Sequence, residues 1–127
     1  MSARSAKELT VYRKAYNLAM QIFELSKRFP SEEKYALTSQ LRRSSRSIFL
    51  NLREAWAKRR YPAHFVSKLT DCDGENSETD TALDFALDCK YLNEQEHKQL
   101  VDVCGEIGKM LGSMIQRPEP FLLTPDS

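Results

Sequence analysis

Apolar positions recur along this chain at helical spacing almost from end to end. From Val11 the series Val11, Ala15, Leu18, Ile22, Leu25, Phe29 steps by four and three residues, and a second stripe, Tyr12, Tyr16, Ala19, Phe23, runs beside it. A period near 3.6 marks one face of an α-helix, and two adjacent stripes make that face broader than contact with one other helix consumes. The next series, Leu37, Leu41, Ile48, Leu52, Ala55, predicts a second helix from about Ser31 or Lys34 to about Arg60. A third begins after Pro62, a residue suited to a first helical turn, and carries Phe65, Leu69, Cys72, then the polar Asn76 and Thr79, then Leu83, Ala86 and Leu87. Asn93-Glu-Gln-Glu96 has the form of a capping box and opens a fourth helix, with Leu100, Cys104, Ile107, Leu111, Met114 and Ile115 as core positions. Gly105, Gly108 and Gly112 cluster on one side of it. Each costs about 1 kcal/mol of helix propensity relative to Ala, so close approach of a neighbouring helix is the expected reason for them.

No segment alternates with period two. Four amphipathic helices with short connections, punctuated by Pro30, Pro62, Pro118 and Pro120, predict an all-α fold: an up-down-up-down antiparallel four-helix bundle over residues 8–117, with flexible ends at 1–7 and 118–127. The length of 127 residues suits one domain, and a hydrophobic content of 41% suffices for its core. The longest apolar runs are three or four residues, too short to span a bilayer, and no signal-peptide core follows the N-terminus, so the cytoplasm is the expected location and no membrane partner is expected. Cys72, Cys89 and Cys104, odd in number and without a C-x-x-C pair, read as small buried hydrophobes. The surplus stripe on the first helix predicts a homo-oligomer, with Tyr12, Tyr16, Phe23, Phe49, Glu75 and Glu78 as interface candidates.

Charge changes the picture most. Nine basic residues face a single acid between Lys34 and Lys68, whereas Asp71 to Asp88 holds seven acids and no base; a formal net charge of +1 conceals both fields. Such sorting serves recognition, of a polyanion or of another copy of the chain. On the second helix Arg42, Arg46, Phe49, Arg53, Trp56 and Arg60 fall within an arc of about 80° at 100° per residue. Guanidinium groups interleaved with aromatics suit phosphate contact and base stacking, and they equally suit a protein–protein seam against acidic partners. Arg42, Arg46, Arg53, Trp56, Lys58, Arg59 and Arg60 are therefore nucleic-acid-binding candidates. If the seam is used instead, Arg42, Arg46 and Arg53 would meet Glu75, Glu78 or Asp71 of a neighbouring helix or subunit.

Catalytic and metal signatures are weak. Asp71-x-Asp73-x-Glu75 opens like a calcium loop, but Asn76 and Ala82 stand where that loop needs Gly and Glu. Glu94-x-x-His97 is half of a di-iron bundle motif without its second half, and His64 is the only other histidine. With no nucleophile elbow or Gly-rich phosphate loop, no enzyme, no metal and no cofactor are expected.

Leu37-Thr-Ser-Gln-Leu-Arg-Arg-Ser-Ser-Arg-Ser-Ile48, Asn51 and Glu54-Ala-Trp-Ala-Lys-Arg-Arg-Tyr61 together resemble the bacterial four-helix-bundle family named for a protein encoded in 23S rRNA intervening sequences. Glu8-Leu-Thr-Val-Tyr12, Glu78-Thr79, Leu83-Asp-Phe-Ala-Leu87, Tyr91-Leu92 and Gly105-Glu-Ile-Gly-Lys-Met-Leu111 extend the likeness over about residues 8 to 116. The resemblance implies a small bundle assembling as a homopentamer, without an established enzymatic activity. A distantly similar bundle, the accessory variability determinant of diversity-generating retroelements, is a basic pentamer that works with a reverse transcriptase and nucleic acid. RNA or a nucleoprotein is thus the partner that the likeness implies. The rival expectation is an assembly or adaptor protein whose basic and acidic faces pair between subunits. Many members have Ser-Ile-Pro-Ser-Asn where this chain has Ser47-Ile-Phe-Leu-Asn51, so a straighter second helix is expected. Several have Trp at the position of Ala82 and Gly at that of Lys90.

Overall fold

The chain folds as four α-helices, α1 (Thr10–Ser26), α2 (Leu37–Ala57), α3 (Pro62–Asp88) and α4 (Glu94–Gln116), with 3-10 turns at Ser31–Glu33 and Glu119–Phe121. The computed structural model describes residue 6 and residues 9–124, and among the described residues there is no strand. Of the ends expected to be flexible, 1–5, 7 and 125–127 lie outside the described residues.

Side-chain contacts fix the direction of each helix relative to its neighbours. Between α1 and α4, Lys14 meets Glu106, and Arg28, just past the end of α1, meets Glu96. Early positions of one helix therefore face late positions of the other. The same antiparallel sense links α1 to α2 through Tyr12–Phe49 and Ser26–Arg42, α2 to α3 through Lys68–Glu54 and Arg43–Glu78, and α3 to α4 through Asp84–His97 and Asn76–Cys104. The result is an up-down-up-down four-helix bundle, the arrangement short connections favour.

The inward stripes meet in one core. Leu18, Ile22, Leu41, Ile48, Leu52, Phe65, Leu69, Leu83, Leu100, Ile107 and Leu111 are buried together, as are Cys72 and Cys104. Cys89, by contrast, is exposed, because it caps the C-terminus of α3 beyond the last inward turn. The core hydroxyls of Ser44, Ser45 and Thr79 are matched, as the cost of burying an unbonded hydroxyl requires, whereas Asn76 Oδ1 is buried without a hydrogen-bond partner among the described residues. Thr79 Oγ1 lies 2.8 Å from both Ser44 Oγ and the Glu75 carbonyl, Ser45 Oγ donates to the Leu41 carbonyl at 2.7 Å, and Asn76 Nδ2 donates to the Cys104 carbonyl at 2.9 Å.

Two boundaries and one glycine cluster differ from expectation. α2 begins later, at Leu37, because Ala36 leaves the helical region (φ −121°, ψ −104°) after the 3-10 turn; Glu33 then accepts the Leu37 N–H at 3.4 Å. It ends at Ala57, where Lys58 (φ −103°, ψ 18°) turns the chain toward Pro62. Helix α2 is unbroken through Ser47–Asn51. Of the three glycines of α4, only Gly108 faces a neighbour. A Cβ there would lie 3.5 Å from Asn76 Nδ2, whereas at Gly105 and Gly112 it would meet nothing within 4 Å. Close approach therefore explains one of them, and the other two face open space.

α3 closes on a left-handed residue. Lys90 adopts φ 64°, the Tyr91 N–H returns to the Ala86 carbonyl and the Lys90 N–H to the Leu87 carbonyl, each at 2.9 Å. These are the two bonds of a Schellman cap. After Arg117 the chain folds back over the open end of the core: Phe121 stacks near Phe65 (6.4 Å), and the Leu123 N–H donates to the Arg59 carbonyl at 3.2 Å.

Candidate nucleic-acid interface

The outer face shared by α1 and α2 gathers most of the residues singled out from the sequence. Phe49 of α2 sits between Tyr12 (5.8 Å, edge-on) and Tyr16 (5.7 Å) of α1. Much of the surplus stripe of α1 is therefore covered within the chain: Ala19 is buried, and Tyr12, Phe23 and Phe49 are half-buried. What stays open is Tyr16 at 48%, Met20 at 44% and, on α2, Leu50 at 55% exposed.

The basic positions of α2 and of the turn after it divide by environment. Arg42 is turned inward onto the end of α1. Its Nε donates to Ser26 Oγ at 2.8 Å and its guanidinium lies 4.9 Å from the Phe23 ring centre, where it also complements the negative end of the helix dipole. Arg46 lies at 5.8 Å over the same ring and is exposed. Arg53 and Arg60 are exposed, and among the described residues neither has a carboxylate oxygen within 4 Å. Trp56 is only 9% exposed, and Arg59 covers its ring at 3.8 Å while Arg59 Nε donates to the Trp56 carbonyl at 2.9 Å. This pair closes the end of α2 and leaves the indole no free face for a base. Burial lowers the Arg59 pKa from its ordinary value. Lys58 is half-buried at the turn.

Much of the acidic charge of α3 is already engaged. Arg43 is clamped to Glu75 (3.3 Å) and more tightly to Glu78; Lys68 holds Glu54 at 2.6 Å and lies 3.8 Å from Asp71; His97 sits 2.7 Å from Asp84. Glu75 and Glu78 thus meet neither Arg42, Arg46 nor Arg53 but Arg43, which lies outside the arginine–aromatic arc. Desolvation and proton sharing with Glu78 hold the Glu75 carboxyl above the usual range, against the pull of Arg43. Desolvation acts the same way on Glu78, but bonds from Arg43 and Glu75 outweigh it and bring its pKa below the usual range. Hairpin register could have found Arg43: with the turn at Lys58–Pro62, position 44 faces 79 and position 54 faces 68, which puts 43 within about one helical turn of both 78 and 75.

No metal-binding group of three or more His, Cys, Asp or Glu side chains forms among the described residues. Nor is any helix among them long and apolar enough to cross a membrane. A surface groove of about 830 Å³ lies at the α3–α4 turn between Arg28, Lys90, Tyr91 and Glu94. It is open and mixed in charge.

The helical scaffold and its basic α2 are matched over residues 7–113 by the model of the 23S rRNA-intervening sequence protein family. The chain belongs to that family. No curated protein sequence is significantly similar to it. Among solved structures, this family member is similar to a protein of unknown function from the S23 ribosomal protein family of Bacteroides thetaiotaomicron, with 30% identity and a TM-score of 0.75. The likeness covers 84% of this chain and 98% of the other.

Proposed function

We propose that this bundle is a non-enzymatic, self-associating accessory protein that binds RNA, alone or within a nucleoprotein, through the basic positions of α2 and of the turn that follows it. One observation carries the reading. Arg53 and Arg60 are exposed without a carboxylate partner among the described residues, and Arg46 has only the face of Phe23, while Glu75, Glu78, Asp71 and Asp84 are engaged inside the chain. Unpaired surface cations released from intramolecular duty are what a polyanion requires. The family name, which ties a relative to 23S rRNA intervening sequences, points the same way. Assembly into a ring, of five subunits by family likeness, would repeat the basic face around an axis and raise its effective concentration.

Mobility shift of RNA across a salt series tests this. Affinity should fall steeply from about 50 mM salt, and Arg46, Arg53 and Arg60 changed together to Gln should lower the slope by roughly 0.7 for each single-strand phosphate that is no longer neutralised. Absence of any shift at low salt would sink the RNA reading in favour of an adaptor. That second reading draws on Tyr16, Met20 and Leu50, whose exposed apolar surface suits a protein seam.

A further inference from the structure

The bundle topology brings cations of the α2–α3 turn and of α4 toward one end, where an aromatic side chain is exposed. α2 ends, α3 begins and α4 ends at this pole, as the Phe121–Phe65 and Leu123–Arg59 contacts fix. Tyr61, the residue before α3, is 57% exposed, with its ring 5.9 Å from that of the exposed His64. Arg60 stands next to it, Lys58 two residues earlier is part of the same turn, and Arg117 at the end of α4 borders, with Lys109 two turns earlier on that helix, a concavity of about 410 Å³. Among the described residues none of these four cations has a carboxylate oxygen within 4 Å.

The turn is held in shape by groups that do not face solvent. The Tyr61 N–H donates to the Lys58 carbonyl at 2.9 Å, the Phe65 N–H donates to the Tyr61 carbonyl at 2.9 Å, and Arg59 is pinned on Trp56. With Arg59 committed inward, Arg60 and Tyr61 are presented outward on a fixed backbone, so little ordering remains to be done on binding.

Resting on the RNA reading above and narrowing it, we propose that this pole is a single-strand site: one base stacks on Tyr61, with His64 holding the ring edge-on, while Lys58 and Arg60 take the flanking phosphates and Arg117 and Lys109 the continuing backbone. A duplex hides its base faces inside the stack, whereas every unpaired base offers one to an aromatic ring, and cations beside that ring meet the backbone. The site therefore prefers single strands and tolerates sequence.

Fluorescence anisotropy with a labelled oligouridylate and an RNA duplex of equal length, at about 50 mM salt, tests the proposal. The single strand should bind more tightly. Tyr61→Ala should weaken it by about ten-fold, the loss of one stacked base, and Tyr61→Phe should restore it. Arg60→Gln should flatten the salt slope by roughly 0.7 while leaving the duplex affinity less affected. Circular dichroism and sedimentation of each variant keep fold and assembly in view. RNA binding that is indifferent to Tyr61 and equal for the two probes would overturn the single-strand site and leave the RNA reading standing. Failure of the unaltered protein to bind either probe would overturn both. A Tyr61→Ala protein with altered assembly mass and unaltered RNA affinity would assign the surface to another copy of the chain and overturn the proposal as well.

Discussion

At the scale of single residues, the least expected feature is Lys90 in a left-handed conformation that glycine adopts without cost. An L side chain there loses about 1–2 kcal/mol, part of which Gly gives back through its greater freedom when unfolded. Lys90→Gly should accordingly raise stability by about 0.5–1 kcal/mol in chemical denaturation, with an unchanged m-value. The sequence carries no sign of this conformation, because Lys is not a residue that marks a left-handed position. The cysteines divide along burial in the same way. Cys72 and Cys104 are buried and their thiols are pushed up to about 12, first by desolvation. A thiol that far from ionisation is no nucleophile at neutral pH. An aromatic disulfide reagent should therefore titrate one thiol per folded chain, that of Cys89, and all three after denaturation. Rapid modification of more than one in the native protein would contradict the packing around α3 and α4.

Among the elements, the caps and the hairpin register decide how the helices meet. The Asn93–Glu96 box, legible in the sequence, is present in full: the Glu96 N–H donates to Asn93 Oδ1 at 2.8 Å, and the Asn93 N–H donates to Glu96 Oε1 at 3.0 Å. The structure adds that Glu96 also holds Arg28, just past the end of α1, so one carboxylate caps α4 and ties it to its neighbour. That bond, then the Asn93 N–H, lowers the Glu96 pKa from the ordinary 4.5. A depressed carboxyl contributes stability in full above its unfolded value and loses it as the pH falls through the folded one. Glu96→Ala should thus cost about 1 kcal/mol at pH 7, with the gap to the unaltered protein narrowing in acid below about pH 4. A gap constant from neutral pH into acid would mean that the carboxylate is not the source. Helix existence, inward stripes and this cap were readable because each depends on local spacing. The beginning of α2 was not, because Glu33 serves Leu37 and, at 2.9 Å, the hydroxyl of the distant Tyr91. The partner of Glu75 and Glu78 within the chain was likewise a matter of register between helices, and periodicity within α2 did not point to Arg43.

For the whole molecule, the question is what covers the outer face of α1 and α2. The sequence marked Tyr12, Tyr16, Ala19 and Phe23 as more apolar surface than a bundle needs, and the fold consumes part of it through Phe49 and Arg42. Tyr16, Met20 and Leu50 are left, on two adjacent helices, with Arg46 and Arg53 flanking Leu50 at helical spacing. Apolar side chains fringed by arginine have the composition of an interface centre. Half-buried Asp73 and exposed Asp88 of α3 have no cation within 4 Å among the described residues and are carboxylates left to meet those arginines from another copy. Two unlike surfaces on one chain make a head-to-tail contact, which closes into a ring when the rotation permits. Light scattering at micromolar concentration should therefore return a multiple of 14.7 kDa. Met20→Glu combined with Leu50→Glu should reduce it to the monomer, with helicity intact because both side chains already face solvent. Salt should act in a way that separates the two forces: screening weakens the arginine–aspartate part, worth about 0–1 kcal/mol per exposed pair, and leaves the apolar part in place. The assembly should hence loosen without dissolving as salt rises. A chain that sediments as a monomer at low salt would leave Tyr16, Met20 and Leu50 as ordinary exposed residues, and would confine any RNA contact to the few cations of a single bundle.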